Sequence, residues 1–198
     1  MRRTRFTILA AILAPILAIL LGCGTMDIAR AGEAEAWSAL RAGRHIALMR
    51  HADAPGGFGD PPGFKVEDCA TQRNLSAKGR TDARKIGARL KSEGITFEAI
   101  LSSPWCRCID TATLLDLGPV KTEPTFGNAF VLRDQRESLT SGARAVIEQW
   151  TGSGTLLVVT HGANIQALTG IQPASGEIVV VRGGSGGGRE AVGRLMLD

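Results

Sequence analysis

The stretch His45-Ile46-Ala47-Leu48-Met49-Arg50-His51-Ala52 and its counterpart Thr155-Leu156-Leu157-Val158-Val159-Thr160-His161-Gly162 decide the reading of this chain. Each is an apolar run of strand length that ends at a histidine. Uninterrupted apolar strands are those covered on both faces, as in the middle of a parallel sheet. The chain has three histidines, and two of them fall at these matching positions. His51 also follows an arginine directly. A neutral imidazole can attack phosphorus, and a guanidinium forks two hydrogen bonds onto anionic oxygens without losing its charge. The Arg50-His51 pair therefore points to phosphoryl chemistry. His45, at the start of its strand, reads as structural.

Residues 33–42 read as a short helix ended by Gly43. The segment from Asp53 to Gln72 is rich in Gly, Pro and Asp, has no periodicity, and reads as a long loop over the site. Ser76 caps a helix from Ala77 to Glu93 whose Ala83, Ile86 and Leu90 share one face, with Gly94 as its stop. Phe97 to Leu101 is the next strand. Ser103-Pro104 is expected to open a helix, with Ser103 as cap, Pro104 at the first position and Arg107 in the first turn. Unpaired amides and the helix dipole favour an anion there. A short strand at 120–123, an ambiguous segment at 128–133 and a helix at 140–150, with Ala143, Val146, Ile147 and Trp150 inward, lead to the second apolar run. The tail adds a strand at 177–181, a Gly-rich linker through Gly188 and an edge strand at 192–197. That linker matches neither a Walker nor a dinucleotide motif and reads as a hairpin loop.

Strands alternating with helices argue an α/β domain with a mostly parallel sheet. Such sheets bind ligands beyond the carboxyl ends of their strands, at a switch in strand order. His51, Arg107 and His161 each follow a different strand end, so they are expected to meet in one crevice.

The length, 198 residues, suits one domain, expected over 33–198. Arg2, Arg3 and Arg5 precede an almost wholly apolar run from Thr7 to Leu21, the pattern of an export signal that is removed. Two processing routes are open. Leu20-Leu21-Gly22-Cys23 is a lipoprotein-type signal over 1–22 that would leave a lipidated Cys23 and a membrane attachment, and Ala29-Arg30-Ala31 is an ordinary cleavage site after 31. Without the three leading arginines, 20 basic residues face 19 acidic ones, so the mature chain is nearly neutral. No basic stripe interleaved with aromatics appears, which argues against nucleic acid. The expected location is the periplasm or the lipid surface of a bacterial envelope. In that oxidising setting Cys69, Cys106 and Cys108 could form one disulfide. Cys108 reads as a core residue, leaving a Cys69 to Cys106 bridge or, as the alternative, buried free thiols. Cys106-x-Cys108 has the wrong spacing for a zinc site, so no metal is expected.

Taken together, Leu48-Met49-Arg50-His51-Ala52, Ser102-Ser103-Pro104 with Arg107, and Thr160-His161-Gly162 resemble the motifs of the histidine phosphatase superfamily. Gln72-Arg73-Asn74-Leu75-Ser76 with Gly79-Arg80 resembles the segment that follows the first motif in its small phosphatases, so the resemblance covers most of residues 45–182. It implies a phosphoglycerate mutase-like three-layer αβα sandwich. It implies a phosphatase acting on a phosphomonoester or related phosphoryl compound, without metal or cofactor. His51 would be the nucleophile that becomes a phosphohistidine, Arg50, Arg107 and His161 would bind the phosphoryl oxygens, and Arg73 is a further candidate for phosphate. Compact exported members are similar to lipopolysaccharide-core heptose phosphatases. A non-catalytic phosphate-binding lipoprotein is the alternative. Mutase-like members carry a glutamate acid where Phe126-Gly127-Asn128-Ala129-Phe130 offers Asn128. Asp134 is the first substitute considered, with Glu137, Asp53 and Glu177 behind it. Some compact members lack the acid, which suits good leaving groups such as phosphoramidates.

Overall fold

The computed structural model describes residues 32–57, 59–184 and 190–197. The expected signal segment, Cys23 and both cleavage sites lie outside them. Helix α1 covers residues 32–42. It is followed by β1 (His45–Arg50), α2 (Ala77–Ser92), β2 (Phe97–Ser102), α3 (Cys106–Leu114), β3 (Val120–Thr122), α4 (Arg136–Glu148), β4 (Thr155–Thr160), α5 (Gly162–Thr169), β5 (Ile178–Arg182) and β6 (Ala191–Leu195).

The six strands form one sheet in the order β3-β2-β4-β1-β5-β6. The first four are mutually parallel, and β5 and β6 complete the other edge antiparallel. The two quoted apolar runs are neighbours at its centre. Because side chains alternate across a strand, each run feeds two cores. Ala47, Met49, Leu157 and Val159 face one core, with Trp37, Leu40, Ile86, Leu90, Cys108 and Leu115 from α1 to α3 and the turn after them. Ile46, Leu48, Leu156 and Val158 face the other, with Ala143, Ile147, Ile165 and Leu168 from α4 and α5. The result is a helix-sheet-helix sandwich.

Helix α2 begins as expected, with the Ser76 hydroxyl accepting from the Gly79 amide at 2.8 Å. Its Gly87 lets the chain come close: a Cβ there would lie 2.0 Å from the Leu115 carbonyl oxygen. Helix α4 begins four residues earlier than expected, because its polar first turn, Arg136-Glu137-Ser138, has no apolar period to announce it.

Helix α3 corrects the expected start. It opens at Cys106 with Trp105 in the cap position and no side-chain cap from within the segment. The Ser103 hydroxyl is instead spent on His161 Nε2 at 2.9 Å and is 3.4 Å from the Trp105 amide. The amide of Cys106 is satisfied from outside, by Gln72 Oε1 at 3.0 Å. The loop after β1 thus caps the helix that carries Arg107. Cys69 and Cys106 are joined by a disulfide, and Cys108 is a buried free thiol.

Candidate active site

Strand register brings the histidines together. In the β1–β4 ladder Arg50 is paired with Thr160, and the His51 amide donates to the Thr160 carbonyl at 2.9 Å, one step past the strand end. His51 and His161 leave neighbouring parallel strands at the same level. Their ring centroids are 5.5 Å apart, nearly edge to face. In β2, Ser102 pairs with Val159, which sets Ser103 and the start of α3 at that level too. This is the switch in strand order: the chain leaves β1, passes over the place β4 will take, builds β2 and β3, and returns.

A cavity of about 600 Å³ opens over these strand ends. Arg50, His51, Arg73, Asn128 and His161 line it, together with Phe130, Gln166 and Gln172. The ring of His51 is fixed by Nδ1–H donating to the Ala52 carbonyl at 2.8 Å, which leaves the lone pair of the neutral ring on Nε2. Burial, with the charges of Arg107, Arg50 and Arg73, pushes its pKa down to about 3 against the favourable Ala52 hydrogen bond. His161 is also held well below its usual value, by burial first and then by His51 and the arginines. Both rings are therefore neutral near pH 7. The Cys108 thiol lies 3.6 Å from His161 Nε2, and burial pushes its pKa up to about 12. It stays protonated.

The arginines are held in different ways. Arg50 donates to the Pro173 carbonyl at 2.9 Å, and Arg73 donates to the carbonyls of Gly59 and Ala54 at 2.9 and 2.5 Å. Burial lowers the pKa of both, and a guanidinium keeps its charge in proteins. Arg107 is fully buried and does not line the cavity. Its Nη1 and Nη2 grip the Asp60 carboxylate at 2.7 and 3.2 Å. Asp60 gave no sign in the sequence, since a carboxylate in a Gly/Pro loop carries no local signal for a partner 47 positions away.

The expected acid is not where the cavity is. Asp134 lies exposed on a short 3-10 helix, Arg133–Gln135, outside the lining, and Glu137 is exposed in the first turn of α4. Asp53 accepts from the Ser76 hydroxyl at 2.6 Å. Glu177 is buried but bound to the Ala174 amide and Arg194. Asn128 does line the cavity. Its segment is pinned by Asn164, which accepts from the Ala129 amide and donates to the Gly127 carbonyl, while Asn128 itself accepts from the Phe130 amide. No carboxylate is among the described residues that line the cavity. Among the described residues, no three His, Cys, Asp or Glu side chains are grouped as metal ligands, and no helix is long and apolar enough to cross a membrane.

A six-stranded mixed sheet flanked by helices, with two imidazoles and an arginine set beyond its parallel strand ends, defines an α/β protein with the phosphoglycerate mutase-like fold of histidine phosphatases. Residues 46–131 match the model of the Histidine phosphatase superfamily (branch 1). The chain is similar to the structure of the protein histidine phosphatase SixA complexed with tungstate, at 18% identity and a TM-score of 0.55, over 76% of this chain and 96% of that one. A candidate phosphohistidine phosphatase SixA from Agrobacterium tumefaciens gives 17% and 0.55, over 77% and 97%. A protein of Thermus thermophilus gives 16% and 0.55, over 77% and 99%. Comparison with curated proteins gives no significant match.

Proposed function

We propose that this chain is a phosphatase that hydrolyses a phosphoryl compound with a good leaving group through a phosphohistidine on His51. The observation that carries the reading is the free Nε2 lone pair of a neutral, buried His51 lining a cavity that Arg50, Arg73 and His161 also line. The SixA neighbour is described with tungstate, an oxyanion of phosphate-like shape, which is consistent with it. In the first step Nε2 gives its electron pair to phosphorus to form an N–P bond, the bond from phosphorus to the leaving group breaks, and the leaving group departs with the electron pair of that broken bond. The ring then carries a positive charge, which the Ala52 carbonyl stabilises through Nδ1–H. In the second step water attacks phosphorus, the N–P bond breaks, and inorganic phosphate leaves with the ring neutral again. The arginines offset a phosphoryl charge of about two, and positioning plus electrostatics supply most of the catalysis.

The missing carboxylate narrows the substrate. A leaving group of high pKa needs a proton in the transition state, a contribution of about 10²–10⁴-fold. With no carboxylate among the described residues of the cavity wall, aryl phosphates, acyl phosphates and phosphoramidates are favoured over alkyl phosphates. We expect kcat/KM for a nitrophenyl phosphate to exceed that for a simple alkyl phosphate by about 10³-fold, with Asp134→Asn changing either by less than about twofold. Absence of phosphate release from the aryl ester would refute the phosphatase reading and favour a phosphate-binding protein. A large Asp134→Asn loss on the alkyl ester alone would restore Asp134 as the acid.

We also propose that the protein is exported and held to the envelope through a lipidated Cys23, on the strength of the Arg-rich start, the apolar run and Leu20-Leu21-Gly22-Cys23. Full-length protein from the cell envelope should partition into detergent, and Cys23→Ser should move it to the aqueous phase. Unchanged partitioning would exclude the lipid.

A further inference from the structure

Asp60 is the buried charge that phosphoryl capture by Arg50, His51 and Arg73 leaves unused. It lies in the loop after β1 with its side chain fully enclosed, and it collects donors from two other segments. Arg107 holds both of its oxygens, the Trp105 indole donates at 3.0 Å, and the Arg73 amide donates at 3.1 Å. Burial alone would raise its pKa. The hydrogen bonds and charge of Arg107, aided by Arg73 and Trp105, outweigh that and hold it below its usual value.

The Arg107 nitrogens show what this grip leaves over. Nη1 is shared between Asp60 and the Arg73 carbonyl, Nη2 goes to Asp60, and Nε is buried with no partner. A bidentate carboxylate fixes the plane of a guanidinium, so the placing of Nη1 on the Arg73 carbonyl is set by Asp60. Trp105, the other side chain on Asp60, stands edge-on to His161 with centroids 5.5 Å apart.

We propose that Asp60 is a positioning residue of the phosphoryl site. It locks Arg107, whose Nη1 in turn holds the Arg73 carbonyl at 3.1 Å so that Arg73 stays on the cavity wall, and it cancels one of three guanidinium charges, leaving Arg50 and Arg73 to balance the incoming anion. This rests on the phosphatase reading above. It is tested on wild type, Asp60→Asn, Arg107→Met, the double variant and His51→Ala, using a nitrophenyl phosphate for kinetics and inorganic phosphate for affinity by calorimetry.

Asp60→Asn should lower kcat/KM at least about 30-fold and weaken inorganic phosphate about tenfold, because it frees a buried guanidinium from its partner. The double variant should fall within about threefold of Arg107→Met, since a residue acting through another adds nothing once that other is gone. The double variant also removes the unpaired buried charge that could unfold a single one, so the comparison survives if Asp60→Asn does not fold. Asp60→Asn kinetics within about threefold of wild type, or a double variant about tenfold or more below Arg107→Met, would overturn the proposal. Wild-type turnover that is absent, or that persists in His51→Ala, overturns the phosphatase reading instead, and Asp60 is then judged on phosphate affinity alone.

Discussion

Replacing His51 by alanine is expected to lower phosphatase turnover at least about 10⁴-fold while the protein remains folded, because the proposed mechanism forms its covalent intermediate on His51. His51 is buried, yet its ring makes one side-chain hydrogen bond, to Ala52, so the loss of structure is small beside the loss of chemistry. Quenching the wild type during turnover should trap a phosphoryl group that is labile to acid and stable to alkali, and peptide mapping should place it on His51. Trapping on another residue, or residual turnover within about a hundredfold of wild type, would defeat the assignment. The pH profile carries a second signature. With a pKa near 3, the nucleophile stays deprotonated throughout the neutral and mildly acidic range. An acid limb near pH 6 should therefore follow the substrate's second ionisation, which is about 6 for a phosphomonoester, and shift when the substrate is changed. The same burial affects stability. A His pKa lowered on folding means that the unfolded chain binds more protons between about 3 and 6.5. Stability is fully present above about pH 6.5 and declines as the pH falls toward 3.

The strand ends were legible because their signals are local. Two apolar runs of strand length that each deliver a histidine leave little choice but the centre of a parallel sheet, and parallel register then sets both rings at one level. Ser76 was legible for the same reason, since a cap bonds within three residues of itself. The pieces that sequence did not announce are those made by distant partners. Asp60 finds Arg107, Gln72 caps α3 in place of Ser103, and Ser103 turns to His161. The loop from Asp53 to Gln72 reads as unstructured by periodicity because its order comes from hydrogen bonds to α3 rather than from a repeating apolar face. That Asp134 stands outside the cavity lining has a related reason. Proximity of Asp134 to Asn128 in sequence says nothing about direction once the chain turns at 128–132 and the 3-10 helix carries Asp134 outward.

Reduction of the Cys69–Cys106 disulfide, or the paired change Cys69→Ser with Cys106→Ser, is expected to destabilise the protein by about 4 kcal/mol, given the 37-residue separation it closes. For a chain of this size that corresponds to a fall of about 10 °C in Tm. The bond acts on more than the unfolded state. Cys69 lies at the far end of the loop that carries Asp60, and Cys106 is the first residue of α3, next to Arg107. Gln72, three residues past Cys69, bonds the Cys106 amide, and Arg73 follows it into the cavity. Cutting the bridge removes the covalent tie and leaves non-covalent contacts, among them Gln72 on the Cys106 amide and Asp60 on Arg107 and Trp105, to hold this loop against the helix. KM for the aryl phosphate should therefore rise several-fold, and kcat should fall less, because His51 is fixed by β1 and Ala52 independently of the loop. Cys69 is exposed, so reductant should reach the bond in the folded protein. Wild type treated with reductant should then match the double-serine variant, whose own behaviour reductant should not change. An unchanged Tm and KM in wild type whose two thiols have been shown to be free by alkylation would mean that the non-covalent contacts suffice to hold the loop. The bridge would then contribute neither stability nor phosphate affinity.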